Sequence, residues 1–357
     1  MKINKSIEIL IVHEKYYYGQ TSIHKQYYYG QPLPLELQKR TFAASSLLYM
    51  LFDEKEIYKI LSKHYKNVSI TTINSEEDLK KLVIRKPDLV FSGVRYFYFN
   101  NRNLWLNDYL KMYDISYITS SRKAFLSSDN KIRSKKIMQK SNIKTADFFI
   151  TAPEKHPNEL SIPIKFPLFI KPVSGHGDSR GVDANSVVYD YEKYKAKVLD
   201  IKIKQNSYSL VETYLPGKEY SVGIFEDSTD GSLIAMPIEI VVKKNVNGHR
   251  ILDFDIKKND EEEVVAVTNI KIFNKLSKLA KDSFTALGGK SIGRIDFKMD
   301  ELGILHFIEA NLGPGIKRGY FYKSCVLNLN MNYDEMILGI VSAGLYSQRK
   351  DKGDSVN

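Results

Sequence analysis

The residues able to do chemistry fall in a few short segments. Gly293-Arg294-Ile295-Asp296-Phe297 is followed by Phe307-Ile308-Glu309-Ala310-Asn311-Leu312-Gly313-Pro314-Gly315. On a β-strand residues i and i+2 share a face, so Arg294 points with Asp296 and Glu309 with Asn311. If the two strands pair, three oxygen-bearing side chains converge beside one arginine. Such hard donors suit Mg²⁺ shared with nucleotide phosphates, and inward-facing acids are costly without cations nearby. A surface salt-bridge network is the competing reading. A second segment, Phe169 to Val182, reads as a strand ending in Lys171 and a loop containing Gly175, Gly177 and Gly181. Glycines let backbone N–H groups approach phosphate oxygens and the lysine adds a point charge. It is not a Walker A loop, because no Gly-Lys-Ser/Thr opens a helix. A third, Val211 to Tyr220, places Glu212 and Glu219 around the turn Pro216-Gly217. Such a hinge offers backbone groups to an adenine edge and a carboxylate to ribose hydroxyls; alone it is a turn between strands.

These residues need a scaffold, and hydrophobic spacing supplies one. Ile7 to Val12, Val68 to Ile73, Asp88 to Phe91 and Tyr117-Ile118 read as strands, alternating with helical patterns over Leu35 to Phe52 and Leu104 to Met112. Strands alternating with helices imply βαβ units and a parallel sheet. Ser127 to Ser141 reads as one Lys-rich helix. Strands then dominate: Asp147 to Thr151, Pro167 to Val173, Tyr208 to Thr213, Glu219 to Phe225 and Leu233 to Val242. A helix over Ile272 to Leu287 ends at Gly288-Gly289 as a C-cap does. The strands Gly293 to Met299 and Leu305 to Ala310 and a helix over Asp334 to Leu345 complete the chain, with a polar, disordered tail expected over 347–357. The segment His13 to Gln20 is duplicated at His24 to Gln31, both ending Tyr-Tyr-Tyr-Gly-Gln or its equivalent, and reads as a loop or pocket wall.

Composition narrows the classes. The 357 residues are 43% hydrophobic and 27% charged, a folded multidomain composition. One cysteine, Cys325, rules out an intrachain disulfide and a cysteine-based zinc site. The apolar run Ile9 to Val12 is too short for a signal peptide or a membrane span, so a cytoplasmic protein is expected. The net charge of +11 comes from lysines scattered in small groups, which argues for a solvated surface rather than a nucleic-acid or membrane footprint.

Taken together, these segments resemble the ATP-grasp ligases, most closely the D-alanine–D-alanine ligase family, from about Ser116 to Leu345 and more faintly before that. The resemblance implies an α/β, three-domain ATP-grasp architecture: an N-terminal parallel α/β domain (1–125), a central lobe with the glycine loop (126–211) and a C-terminal lobe with the metal site (212–346). It implies ATP as co-substrate with two Mg²⁺ (Mn²⁺ being possible), amino-acid or peptide substrates, and a possible homodimer through the first domain. Ser128 to Lys135 is similar to the family's helix that begins with a phosphate-binding lysine, giving that role to Lys131, and Lys171 matches its strand-borne nucleotide lysine. Gly177 and Ser179 fall in the phosphate loop, Glu212 to Leu215 in the adenine hinge, Glu219 at the ribose and Ile308 beside the nucleotide. Leu252 to Lys258 resembles the mobile loop whose lysine, here Lys257, touches the γ-phosphate. Asp296, Glu309 and Asn311 match the metal ligands. Arg294 and the backbone near Gly315 match the groups that stabilise the transferring phosphoryl group and the oxyanion.

Departures from the family cluster on the substrate side. Arg95 stands where the family has a histidine, and Glu36 is a weak match to the glutamate that holds the first amino group. Asp178 replaces a substrate-contacting serine and Lys258 a tyrosine, which suggests an ion pair closing the loop. After Gly315 the family has small hydroxyl residues, whereas this chain has Lys317, Arg318 and Tyr320. The implied activity is ATP-dependent carboxylate–amine ligation with substrates other than two D-alanines; authentic D-alanine–D-alanine ligation is the alternative.

The ligase reading predicts that Mg·ATP raises the melting temperature of the protein. Steeply salt-dependent binding to DNA or RNA, with no response to Mg·ATP, would instead make the positive charge the functional feature.

Overall fold

The computed structural model describes residues 5–14, 52–100, 102–173 and 181–351. The tyrosines of the duplicated segment, residues 35–51 of the helix expected over Leu35 to Phe52, Glu36 among them, and Gly177, Asp178 and Ser179 lie outside these residues, as does the side chain of Lys258.

Three sheets carry the molecule. The first holds β1 (Glu8–Glu14), β2 (Asn67–Ile73), β3 (Leu89–Ser92) and, after a two-stranded ribbon of β4 (Tyr96–Phe99) and β5 (Arg102–Trp105), β6 (Ser116–Tyr117). Its strands are parallel in the order β2-β1-β3-β6, as the alternation of strands and helices predicts. Ile9 to Val12 are buried on both faces, which explains why β1 reads as an unbroken apolar run. The second sheet, antiparallel, comprises β7 (Phe148–Thr151), β8 (Leu168–Pro172), β9 (Val187–Val188) and β10 (Ser209–Thr213), ordered β7-β10-β8-β9. The third, also antiparallel, comprises β11 (Glu219–Glu226), β12 (Leu233–Val241), β13 (Glu263–Ala266), β14 (Ile292–Met299) and β15 (Leu305–Asn311), ordered β13-β12-β11-β14-β15.

The cores are unequal. One large cluster joins Ile9, Ile11 and Phe91 of the first sheet to Ile224, Ile295, Phe297 and Phe307 of the third through Met336, Ile340 and Val341 of the C-terminal helix. The second sheet has its own small core, in which Leu168, Ile170 and Val211 meet Tyr194, Val198 and Ile201 of the helix Tyr191–Gln205. The central lobe is therefore held mostly by itself, and the third sheet is set rigidly against the first.

Several expectations are corrected. The single helix expected over Ser127 to Ser141 is two, Arg122–Ser128 and Lys131–Lys140. Asn130 breaks them: its backbone is extended (φ −89°, ψ 102°) and its side chain accepts from the Arg133 N–H, capping the second helix so that Lys131 opens it. The last helix runs over Tyr333–Asp351, so the expected disordered tail begins too early. Ser347 is buried, its hydroxyl hydrogen-bonded to Glu226 and Ser291, which carries the helix past its last apolar residue. The helix Tyr191–Gln205 was not expected; Lys197 occupies a buried position on it, with Nζ donating to Asp183 at 2.8 Å, and so blurs the apolar stripe.

Gly293, next to Arg294, has the Phe284 ring 2.6 Å from where a Cβ would lie. Gly293→Ala is expected to cost about 1–3 kcal/mol in a urea titration, because that ring is packed in the core and must shift.

Candidate active site

β14 and β15 pair antiparallel with Arg294 opposite Asn311 and Asp296 opposite Glu309. Residues directly opposite share a face, so the condition set by the sequence is met: one arginine, two carboxylates and an amide project from one patch of sheet. The register shifts beyond Asp296, where Phe297 faces Phe307 and Ile308 is left as the extra residue of a bulge. Ile308 lines a cleft between the second and third sheets.

The cleft is lined by Lys131, Lys135, Lys171, Lys257 and Lys298 against Glu212, Glu219 and Glu309, a formal excess of positive charge. Its apolar wall includes Phe169, Leu215, Ile251, Leu252, Phe307 and Ile308. A cleft lined by both apolar side chains and an excess of cations suits a base joined to a polyphosphate. Of the nucleotide residues expected from the sequence, Lys131, Lys171, Glu212, Leu215, Glu219, Lys257 and Ile308 all line this one cleft.

Each cation is delivered by a specific local structure. Lys131 opens the helix capped by Asn130, and Lys171 lies on β8. Lys257 sits on the short helix Phe254–Asn259, whose first turn is capped by Asp253 accepting from the Ile256 N–H. Glu219, at the start of β11, is paired with Lys298 at 2.8 Å, and Lys298 also donates to the Arg250 carbonyl.

Glu212 is fully engaged. One oxygen lies 2.5 Å from the Lys135 ammonium and the other 2.6 Å from that of Lys171. Burial alone would raise its carboxyl, but the two lysines overwhelm that and hold it down at about 2. Burial likewise works against the charge on Glu309, and there Lys131, Lys257, Lys171 and Arg294 together keep the carboxyl below the usual range. Both glutamates are thus ionised anions embedded among cations.

Arg294 makes two bonds to Asp296, Nε to Oδ1 at 3.1 Å and Nη2 to Oδ2 at 2.9 Å, and lies over the Tyr320 ring at 5.5 Å. Ser221 donates to the same Asp296 Oδ1 at 2.6 Å. The donor set of Asp296, Glu309 and Asn311 has the hard-oxygen chemistry a divalent cation requires. It holds two acids only, and among the described residues no group of three or more His, Cys, Asp or Glu is placed to hold a metal. Asn311 Oδ1 accepts from the Gly313 N–H at 3.1 Å, which orders the turn leading to the exposed Gly315.

On the substrate side the structure separates the candidates. Arg95 is drawn to Asp129 in a two-bond ion pair and stacks on Phe125. Arg318 donates to Glu56 at 2.7 Å and stacks on Tyr333, away from the cleft, and Lys317 is exposed. Among the described substrate-side candidates Tyr320 alone touches the Arg294 patch: it lies under Arg294, with its hydroxyl on the buried Glu262. Lys135, Lys298, Ser221 and Glu262 were missed in the sequence. Lys135 had a signal, since it lies one helical turn from Lys131; so did Lys298, two residues beyond Asp296. Ser221 and Glu262 had none, as their partners are remote in the chain.

The family model for D-ala D-ala ligase C-terminus matches residues 137–342, more than half of the chain. The chain belongs to this family. Among curated relatives, the D-alanine–D-alanine ligase of Aquifex aeolicus is 27% identical over 266 residues, 73% of this chain and 84% of that protein. That of Geotalea uraniireducens is 24% identical over 288 residues, 80% of this chain and 86% of that one. The crystal structure of the Bacillus anthracis D-alanine–D-alanine ligase complexed with ATP superposes with a TM-score of 0.62 at 18% identity, over 97% of this chain and all of that one. The three-sheet arrangement is accordingly the three-domain ATP-grasp fold of the D-alanine–D-alanine ligase family, and the protein is an ATP-dependent ligase. Among the described residues no helix is long and apolar enough to cross a membrane.

Glu212 yields a pH prediction. Its folded-state carboxyl is depressed, so its contribution to stability is present above the ordinary glutamate value and is lost as pH falls from about 4.5 toward about 2. Glu212→Gln removes that part of the acid dependence and, by leaving two buried ammonium groups without their anion, is expected to cost about 3–5 kcal/mol at pH 7 in denaturant titrations.

Proposed function

We propose that the protein joins a carboxylic acid to an amine through an acyl phosphate, with ATP bound in the lysine-lined cleft. The observation that carries this is the convergence of Lys131, Lys171, Lys257 and Glu309 on one cleft beside the Arg294–Asp296 pair. In this reading Leu215 and Ile308 hold the base, Glu219 the ribose, and Lys131, Lys171 and Lys257 the phosphates. Asp296, Glu309 and Asn311 would hold magnesium, which when bound neutralises phosphate charge during transfer.

A carboxylate is a poor acyl donor because oxide is not a viable leaving group. A carboxylate oxygen attacks the γ-phosphorus, the bond to the β-phosphate oxygen breaks, and ADP departs. The lysines' role is electrostatic: they are fixed before the charge moves, so little reorganisation is needed. The amine then attacks the acyl carbon, loses a proton, and expels phosphate with the former carboxylate oxygen. Arg294 and backbone N–H groups near Gly315 face the oxyanion that forms in between. No nucleophilic side chain is needed.

For the substrates, the surroundings of Arg294 support an acceptor other than a free D-alanine. Its neighbour beyond the metal residues is a tyrosine tied to a buried glutamate, while Arg318 is spent on Glu56. Tyr320 stands there in place of the small hydroxyl residues of the family, and Arg318, held by Glu56, is not available to an acceptor carboxylate. The names of the curated relatives favour the second reading, ligation of two D-alanines.

Phosphate release measured over paired acids and amines with Mg·ATP separates them. The proposal expects turnover with amino-acid or peptide pairs that exceeds turnover with D-alanine alone. Robust turnover with D-alanine alone, and none better, selects the second reading. No nucleotide-dependent turnover with any pair would remove the ligation proposal.

A further inference from the structure

Lys135 is one of the most completely buried charged side chains described, with 1% of its side-chain surface exposed. A lysine is seldom enclosed to this extent without a task, because removing its ammonium from water is costly. Its Nζ is held at two points: 2.6 Å from Thr145 Oγ1, which itself donates to the Phe307 carbonyl, and 2.5 Å from one oxygen of Glu212. The other Glu212 oxygen takes Lys171. The three residues come from the helix Lys131–Lys140, β10 and β8, so the pairing also pins the capped helix that begins with Lys131 against the sheet.

One carboxylate between two ammonium groups has a definite electrostatic consequence. With Lys171 alone, a buried Glu212 would neutralise it and leave little field for a phosphate. Burial pushes the Lys135 ammonium down and the Glu212 carboxylate 2.5 Å away holds it up; with both lysines charged the trio keeps a net positive charge, and Lys171 is fixed in position while still able to attract an anion. Lys135 is the least exposed of the three and its bonds go to protein groups, Thr145 and Glu212, so its part is indirect.

We propose that Lys135 is a positioning residue for the nucleotide phosphates: by taking half of Glu212 it prevents that carboxylate from neutralising Lys171. This rests on the nucleotide reading of the cleft. The role separates a phosphate effect from a packing effect, because Lys135 also contributes to the cleft wall.

Calorimetric titration of the full-length protein with Mg·ATP and, separately, with adenosine tests it. Lys135→Met is expected to weaken ATP about ten-fold and adenosine less than about two-fold, with KM for ATP raised far more than kcat is lowered. The double variant Lys135→Met/Glu212→Gln leaves no unshared buried carboxylate and is expected to recover ATP affinity relative to adenosine by at least about three-fold over the single variant. If the single variant does not fold, the double variant carries the test, with an adenosine-to-ATP affinity ratio close to that of the unaltered protein. The inference is overturned if Lys135→Met binds ATP as the unaltered protein does, if it loses ATP and adenosine equally, or if the double variant's ratio stays low. If the unaltered protein binds no ATP at all, the nucleotide reading itself fails, and that outcome is distinct from the others.

Discussion

Two glutamates of one cleft, Glu212 buried and Glu309 half-buried, each facing several cations, set the terms for everything else in this structure. Isolated, Glu212 would be too costly to bury as an anion; ion-paired to Lys135 and Lys171, and with Glu309 in the field of Lys131, Lys257, Lys171 and Arg294, the two carboxylates gather cations that would otherwise repel one another. Lys135 and Lys171 are organised by the first, and Lys131, Lys171, Lys257 and Arg294 by the second. The excess positive charge left over is the part available to a triphosphate.

The scaffold distributes rigidity unevenly around that cluster. The metal-type residues project from β14 and β15, whose apolar sides belong to a core shared with the parallel sheet. Lys171 and Glu212 belong to a smaller sheet with its own core. Lys257 rides on a short helix between them, with Leu252 and Ile256 packed near Tyr320. Charge is thus presented from a fixed wall, a semi-independent wall and a connecting segment, which suits a reaction that must first enclose a nucleotide and then release two products.

Much of this was legible in the sequence where a single periodicity governs. Arg294-x-Asp296 and Glu309-x-Asn311 follow the two-residue repeat of strands, and their antiparallel register places them on one face. The parallel sheet was readable from buried apolar runs such as Ile9 to Val12. The readings failed where polar side chains do structural work. Asn130 splits one apparent helix because its side chain caps a new one; Ser347 extends the last helix by bonding to Glu226, a contact across 121 positions. Lys197 conceals an internal helix by occupying a core position. Lys135 escaped notice because a lysine on a Lys-rich helix looks solvated until its remote partner, Glu212, is known. The same holds for Arg95 and Arg318, which resemble substrate anchors in sequence and are ion-paired to Asp129 and Glu56 in space.

The central claim is that this charge arrangement activates a carboxylate by moving a phosphoryl group onto it. With an acid substrate labelled with ¹⁸O in its carboxyl group, the released inorganic phosphate can be examined by ³¹P NMR. An acyl-phosphate route transfers one labelled oxygen into each phosphate, seen as the upfield isotope shift of the singly labelled species. Amide formation accompanied by unlabelled phosphate would contradict the account.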